Sequence, residues 1–145
     1  MQLRFIGVVS EEILASLAEL GLQDFIEIVG YVSHQEALAY QKSSQVLLLV
    51  EIDSQDNIGI IPGKLFEYMA AKRPILGMGP RNWEVAGIID ETETGRIFDY
   101  ADDIALKNVL LNWFQYFQKG ELQISSGNIE QYSRRELTRK LVEYI

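Results

Sequence analysis

The sequence predicts an α/β protein built on a doubly wound, largely parallel sheet of about five or six strands, and three observations predict it. Short apolar runs alternate with longer amphipathic stretches along the 145 residues, the succession that builds strand–helix–strand units with right-handed crossovers. One run, Val46 to Val50, is apolar at every position, as a strand buried on both faces of a parallel sheet is. Gly30, Pro62-Gly63 and Gly79 fall where strands end, at the carboxyl edge along which such sheets bind ligands.

The elements follow in order. Leu3 to Val8 reads as a first strand, and Glu11 to Leu20 as a helix with apolar residues at Ile13, Leu14, Leu17 and Leu20. Ser10 suits its N-cap and Gly21 its stop. Phe25, Ile26, Ile28 and Val29 make a second strand that Gly30 breaks. Ser33-His34-Gln35-Glu36 matches a capping box opening a helix to about Ser43. His34, the only histidine, reads as a solvated first-turn residue, because no triad or metal partner for it is identifiable. After the Val46–Val50 strand, Glu51, Asp53 and Asp56 lie in a polar loop whose spacing does not fit a calcium loop, so it reads as a solvated connection.

The stretch Ile60 to Leu76 is the one around which the chain is organised. It reads as loop, helix, then buried strand. Pro62 suits the first helical position, Gly63 permits close approach to the backbone, and Leu65, Phe66, Met69 and Ala70 form the core stripe. Lys64, Glu67 and Tyr68 fall on another face near the helix start, where unpaired N–H groups and the dipole favour an anion and Lys64 adds a point charge. Lys64 and Glu67 also have the spacing of a simple surface ion pair. Gly77 to Pro80 then turns the chain, and Arg81 to Glu84 starts a short helix. Thr94-Gly95 leads into an edge strand, Arg96 to Phe98. Asp102 or Asp103 begins a helix with a wide apolar stripe of Ile104, Leu106, Val109, Leu110, Trp113, Phe114 and Phe117, read as core. Glu121 to Asn128 reads as a connecting loop. The last helix, about Ile129 to Ile145, carries Arg134, Arg135, Arg139 and Lys140, and is expected to pack through Tyr132, Leu137, Leu141 and Tyr144.

Totals bound the function. The length suits one domain, 1–145, and 48% hydrophobic with 23% charged residues is ordinary for a globular chain rather than a disordered one. Without cysteine there is no thiol nucleophile, thiolate metal site or disulfide framework. A net charge of -8 argues against nucleic acid as partner, since that needs a basic footprint. An anionic small molecule needs only a helix start and one or two cations, and Lys64, Lys72, Arg73 and Arg81 cluster along the central stretch.

Pro62 to Leu76, with Gly30-Tyr31-Val32 before it and Glu84 and Gly95 after it, resembles the nucleotide-sugar-binding C-terminal domain of GT-B glycosyltransferases of the group 1, family-four type. The resemblance runs along nearly the whole chain. It implies a Rossmann-like, three-layer α/β/α domain, one half of a GT-B architecture, whose second, N-terminal acceptor-binding domain is expected to be absent here. It implies Glu67 on the donor ribose, Lys64 on the phosphates, and Pro62, Gly63, Gly30, Tyr31 and Glu84 around the nucleotide sugar. Gly30 reads equally as a plain turn glycine, and Glu84 as a first-turn helix residue. The family usually has a second acid eight residues before the ribose glutamate; here that position is Gly59, and a loop carboxylate is a candidate replacement.

The implied function is sugar transfer from a UDP- or GDP-linked donor, as substrate rather than cofactor, in bacterial surface polysaccharide or glycan synthesis. No metal is expected and the catalytic residues are not identified. The enzyme would be cytoplasmic, with a peripheral contact at the inner membrane face for the whole protein, and this portion alone would transfer nothing. Two rivals remain: a nucleotide-sugar epimerase-like domain, and a non-catalytic flavodoxin-like interaction domain.

Overall fold

A computed structural model describes residues 1–124 and 127–144; Ser125 and Ser126 of the expected loop, and Ile145 of the expected last helix, lie outside them. The chain is an α/β protein, with parallel strands in two sheets and six α-helices among the described residues. This is the class that the alternating pattern predicts, in the strand–helix succession of a Rossmann-like fold. Its contacts divide it into two compact units, Met1–Tyr40 and Gln41–Ile145.

In the first unit β1 (Leu3–Ile6) and β2 (Ile26–Gly30) pair in parallel around α1 (Glu11–Glu19). Ser10 caps α1 through its side chain, and the Gly7 N–H donates to the Gly30 carbonyl at 2.7 Å. The capping box forms as predicted: the Ser33 N–H donates to Glu36 Oε2 at 2.9 Å, and the Glu36 N–H to Ser33 Oγ at 3.3 Å. The box opens α2 (His34–Ser43), which runs across the boundary between the units.

The second unit is two successive βαβ turns: β3 (Leu47–Val50), α3 (Lys64–Ala71), β4 (Ile75–Met78), α4 (Glu84–Thr92) and β5 (Gly95–Phe98), with strand order β3-β4-β5, all parallel. Leu49, Leu65, Met69, Ile75, Trp83, Val85 and Ile89 form its core. β5 is an edge strand, as Thr94-Gly95 predicts. It lies so close to β4 that a Cβ on Gly95 would sit 2.0 Å from the Ile75 carbonyl oxygen, so only glycine fits. Buried Thr92 and Thr94 satisfy each other across 2.9 Å, and the Thr92 hydroxyl reaches the Ile88 carbonyl.

Several expectations are corrected. The strands form two ladders, of two and three strands, rather than one sheet of five or six. β3 alternates, with Leu47 and Leu49 buried and Leu48 and Val50 exposed, so only one of its faces is core. Ala70 is exposed, and the α3 stripe is Leu65 and Met69 with Phe66 and Tyr68 packed beside them. α5 (Asp103–Gln118) has no buried residue. Leu106, Val109, Leu110 and Trp113 are half-buried, whereas Ile104, Phe114 and Phe117 are exposed. At about 100° per residue Ile104 falls outside the arc of the other six and Phe114 at its edge, whereas Phe117 falls within that arc and is exposed in the last turn of the helix.

The expected last helix is broken. Ile129–Tyr132 is a 3₁₀ turn, Ser133 is extended and caps a new helix through its side chain, and α6 is Arg134–Val142. Ile129 and Tyr132 pack on the core, but Leu137, Leu141 and Tyr144 are exposed and do not anchor the helix. Among the described residues no helix is long and apolar enough to cross a membrane.

Candidate functional site

Parallel register brings the three strands of the second unit to one level: Val50 pairs with Met78, and Met78 with Phe98. The ladder continues one residue further, with the Glu51 N–H donating to Met78 O and the Gly79 N–H to Phe98 O. Everything that follows these strands emerges at this carboxyl edge, the place where open α/β sheets hold ligands.

The loop after β3 is held by its own polar groups. Glu51 Oε1 accepts from the Ile52 N–H and from Asn57 Nδ2, both at 2.8 Å, and Ser54 Oγ caps the 3₁₀ turn Gln55–Asn57. The Tyr100 hydroxyl donates to the Glu51 carbonyl at 2.8 Å. Its pKa is pushed up by burial, then by the charges of Asp53 and Glu51. Of the loop acids, Glu51 is thus committed to ordering the loop.

Trp83 fastens this loop to the turn after β4. Its ring covers Gly79 so closely that a Cβ there would lie 2.5 Å from Trp83 Cε3, and its indole N–H donates to the Ile60 carbonyl at 2.7 Å. The Glu84 N–H donates to the Ile58 carbonyl at 2.9 Å. Glu84 itself is exposed at the start of α4, and a Cβ on Gly59 would stand 3.9 Å from its Oε1. The sequence marks Gly79 and Glu84, but nothing in it marks Trp83 as the clamp.

Ile60 lies two residues before Pro62, so the clamp sets the start of α3. Gly63 is the N-cap, with helical φ of -56°, and Pro62 precedes it rather than filling the first helical position. The Leu65 N–H bonds to Pro62 O and the Phe66 N–H to Gly63 O, while those of Gly63 and Lys64 have no acceptor among the described residues. Nothing lies within 4 Å of where a Gly63 Cβ would be, and Lys64 is exposed. Two N–H groups without an acceptor among the described residues and an exposed ammonium therefore lie together at a helix start, an arrangement that favours an anion.

Glu67 is half-buried one turn into α3. It is not paired with Lys64 among the described residues; its Oε2 accepts from Gln41 Nε2 at 3.0 Å. Gln41 Oε1 is buried and has no donor. Tyr68, next to Glu67 in the chain, has its pKa raised, first by burial and then by the Glu67 charge. The result is a fixed carboxylate whose second oxygen has no donor among the described residues. Gln41 was not anticipated, because 26 residues and a strand separate it from Glu67.

Of the other expected cations, the two arginines are engaged elsewhere, and Lys72 is the exposed, left-handed residue that ends α3. Arg73 donates to the Lys42 carbonyl, and Arg81 pairs with Asp99 at 3.2 Å. Pro62, Gly63, Lys64, Glu67 and Glu84 thus belong to the second unit, at the carboxyl edge. Gly30 and Tyr31 belong to the first unit, Gly30 ending β2 with a left-handed φ of +81° and Tyr31 almost wholly exposed. A cavity of about 690 Å³ lies along α6 and takes in none of these residues. Glu130 and Glu136 alternate there with Arg135, Arg139 and Lys140, so it is a solvated, mixed-charge recess. Neither a protein-family model nor a curated protein sequence matches this chain.

Proposed function

We propose that this chain is the donor-binding half of a cytoplasmic glycosyltransferase, taking a nucleotide sugar linked through UDP or GDP and passing the sugar to an acceptor in glycan synthesis. The observation that carries the reading is the Glu67 carboxylate, held by Gln41 one turn inside a helix whose start presents Lys64 and two N–H groups unpaired among the described residues. A carboxylate accepts two hydroxyl donors, which suits the vicinal hydroxyls of ribose. The helix start and Lys64 suit the diphosphate. The spacing Pro62 to Glu67 and its resemblance to the donor domains of GT-B enzymes support the same assignment.

In the reaction so assigned, the bond between the anomeric carbon and the diphosphate oxygen breaks, an acceptor hydroxyl oxygen bonds to that carbon, its proton passes to the departing diphosphate, and the nucleoside diphosphate leaves with the bonding electron pair. Negative charge grows on the leaving diphosphate. Lys64 and the start of α3 stabilise it there, and that interaction strengthens as the bond breaks. Glu67 contributes by holding the nucleoside in place. GT-B enzymes close a second domain over the acceptor, so these 145 residues by themselves are expected to bind donor and transfer nothing.

A thermal-shift titration with UDP, GDP, ADP and their common sugars tests the reading. Ligand at about 100 times its dissociation constant stabilises the folded state by about 2.7 kcal/mol, which raises the melting midpoint by several degrees. One nucleotide should produce that shift in wild type and not in Glu67→Ala. No shift with any nucleotide at millimolar concentration would remove the donor site, and would favour a surface whose ligand is a protein.

A further inference from the structure

We infer that Gln41 is a positioning residue that sets a preference for ribose over 2′-deoxyribose by holding the Glu67 carboxylate ready for its ligand; the inference rests on the nucleotide-sugar reading of α3. The Gln41 amide reaches Glu67 from the last turn of α2, with Nε2 3.0 Å from Glu67 Oε2. The backbone beside it is tied to the segment just past α3, where Arg73 Nε donates to the carbonyl of Lys42 at 2.9 Å. Gln41 is thus braced where it meets Glu67.

The amide has one workable orientation. Its oxygen turned towards Glu67 would set acceptor against acceptor, so the NH₂ group faces the carboxylate. Oε1 is then left buried with no hydrogen-bond partner. A buried acceptor without a donor opposes folding by an amount similar to what the bond at the other end contributes. An apolar side chain of the same length would therefore fold the chain about as well. What it could not do is fix a carboxylate. A carboxylate free to turn must be ordered by its ligand on binding, whereas one already held by Gln41 meets the ribose hydroxyls preorganised. The 2′-hydroxyl is the donor that ribose has and 2′-deoxyribose lacks. Loosening Glu67 therefore lowers affinity for a ribonucleotide more than for its deoxy counterpart.

Calorimetric affinities of UDP, GDP and their 2′-deoxy counterparts for wild type, Gln41→Met and Gln41→Glu test the assignment. In wild type the preferred nucleotide should bind about tenfold more tightly than its deoxy form. Gln41→Met keeps the length of the side chain and removes both polar ends. It should cut that ratio about fivefold, the equivalent of one hydrogen bond, and leave the melting midpoint unchanged. Gln41→Glu sets a second acceptor against Glu67 and should cut the ratio at least as far. A ratio that stays near tenfold in Gln41→Met, whether or not both affinities fall together, would make Gln41 a structural residue and overturn the inference while the donor site stands. Equal affinity of wild type for a nucleotide and its deoxy form would overturn it too, since Gln41 would then have no discrimination to set. Binding of none of the four nucleotides by wild type would remove the donor-site reading, and this inference with it.

Discussion

The side-chain amide of Gln41 donates to Glu67 Oε2 across 3.0 Å, joining the last turn of α2 to the first turns of α3. A hydrogen bond to a charged acceptor contributes more than one between neutral groups, about 1.5–3 kcal/mol where it is shielded from water. Both residues are only half-buried. A double-mutant cycle of Gln41→Ala and Glu67→Ala in urea should therefore return a coupling of about 1–2 kcal/mol. Additive effects would show that the pair is not formed in solution.

Trp83 should be the most sensitive single position of the second unit outside the strands. Trp83→Phe keeps most of the packing on Gly79 and removes the donor to Ile60, leaving a carbonyl unpaired at a cost of about 1–3 kcal/mol. Trp83→Ala adds a cavity and should cost about 3–5 kcal/mol. If the indole N–H sets the loop before α3, Trp83→Phe should also weaken nucleotide binding without unfolding the chain, which calorimetry with circular dichroism would read.

Gly95→Ala places a methyl group into the Ile75 backbone, where neither strand can yield without breaking the β4–β5 ladder. Overpacking of this kind costs about 1–3 kcal/mol where side chains can move, and a backbone contact should lie at or above that range. The expected result is a large drop in the urea midpoint; a change of under about 0.5 kcal/mol would contradict the close approach.

Alkaline pH should weaken the attachment of the segment before α6. The hydrogen bond to Glu91 raises the Tyr132 pKa from 10.0 to about 12, burial adding to it. A raised pKa means that the protonated phenol is the favoured form in the folded chain. Its contribution is complete below pH 10 and is lost as pH climbs from about 10 to 12. Tyr68 and Tyr100 are shifted the same way, so Tyr132→Phe should flatten the alkaline limb of the stability curve in part, not entirely. An unchanged limb would show that the Glu91 bond contributes nothing.

Local signals in the sequence located most of this architecture. Ser10 and the Ser33–Glu36 box announced their helices because a cap is satisfied within four residues, and the apolar runs marked the strands because pairing buries them. What pattern could not show was which side of an apolar element meets the core. β3 and α5 are apolar on more faces than the fold covers, so both looked more buried than they are. Ser133 interrupts an otherwise helical pattern only because its own hydroxyl caps the next turn. The start of α3 was legible from Pro62 to Glu67; its supports, Gln41 and Trp83, were not, since their partners are 26 and 23 residues away.

The measurement that bears most directly on the account is calorimetric affinity for the nucleotide that shifts the melting midpoint, compared with its 2′-deoxy counterpart, in wild type and Glu67→Ala. If Glu67 receives the ribose hydroxyls, wild type should prefer the ribonucleotide by about tenfold, the equivalent of one hydrogen bond of about 1.4 kcal/mol, and Glu67→Ala should bind both equally weakly. Equal affinity for the two nucleotides in wild type, or a preference that survives Glu67→Ala, would contradict the assignment of Glu67 and with it the donor site.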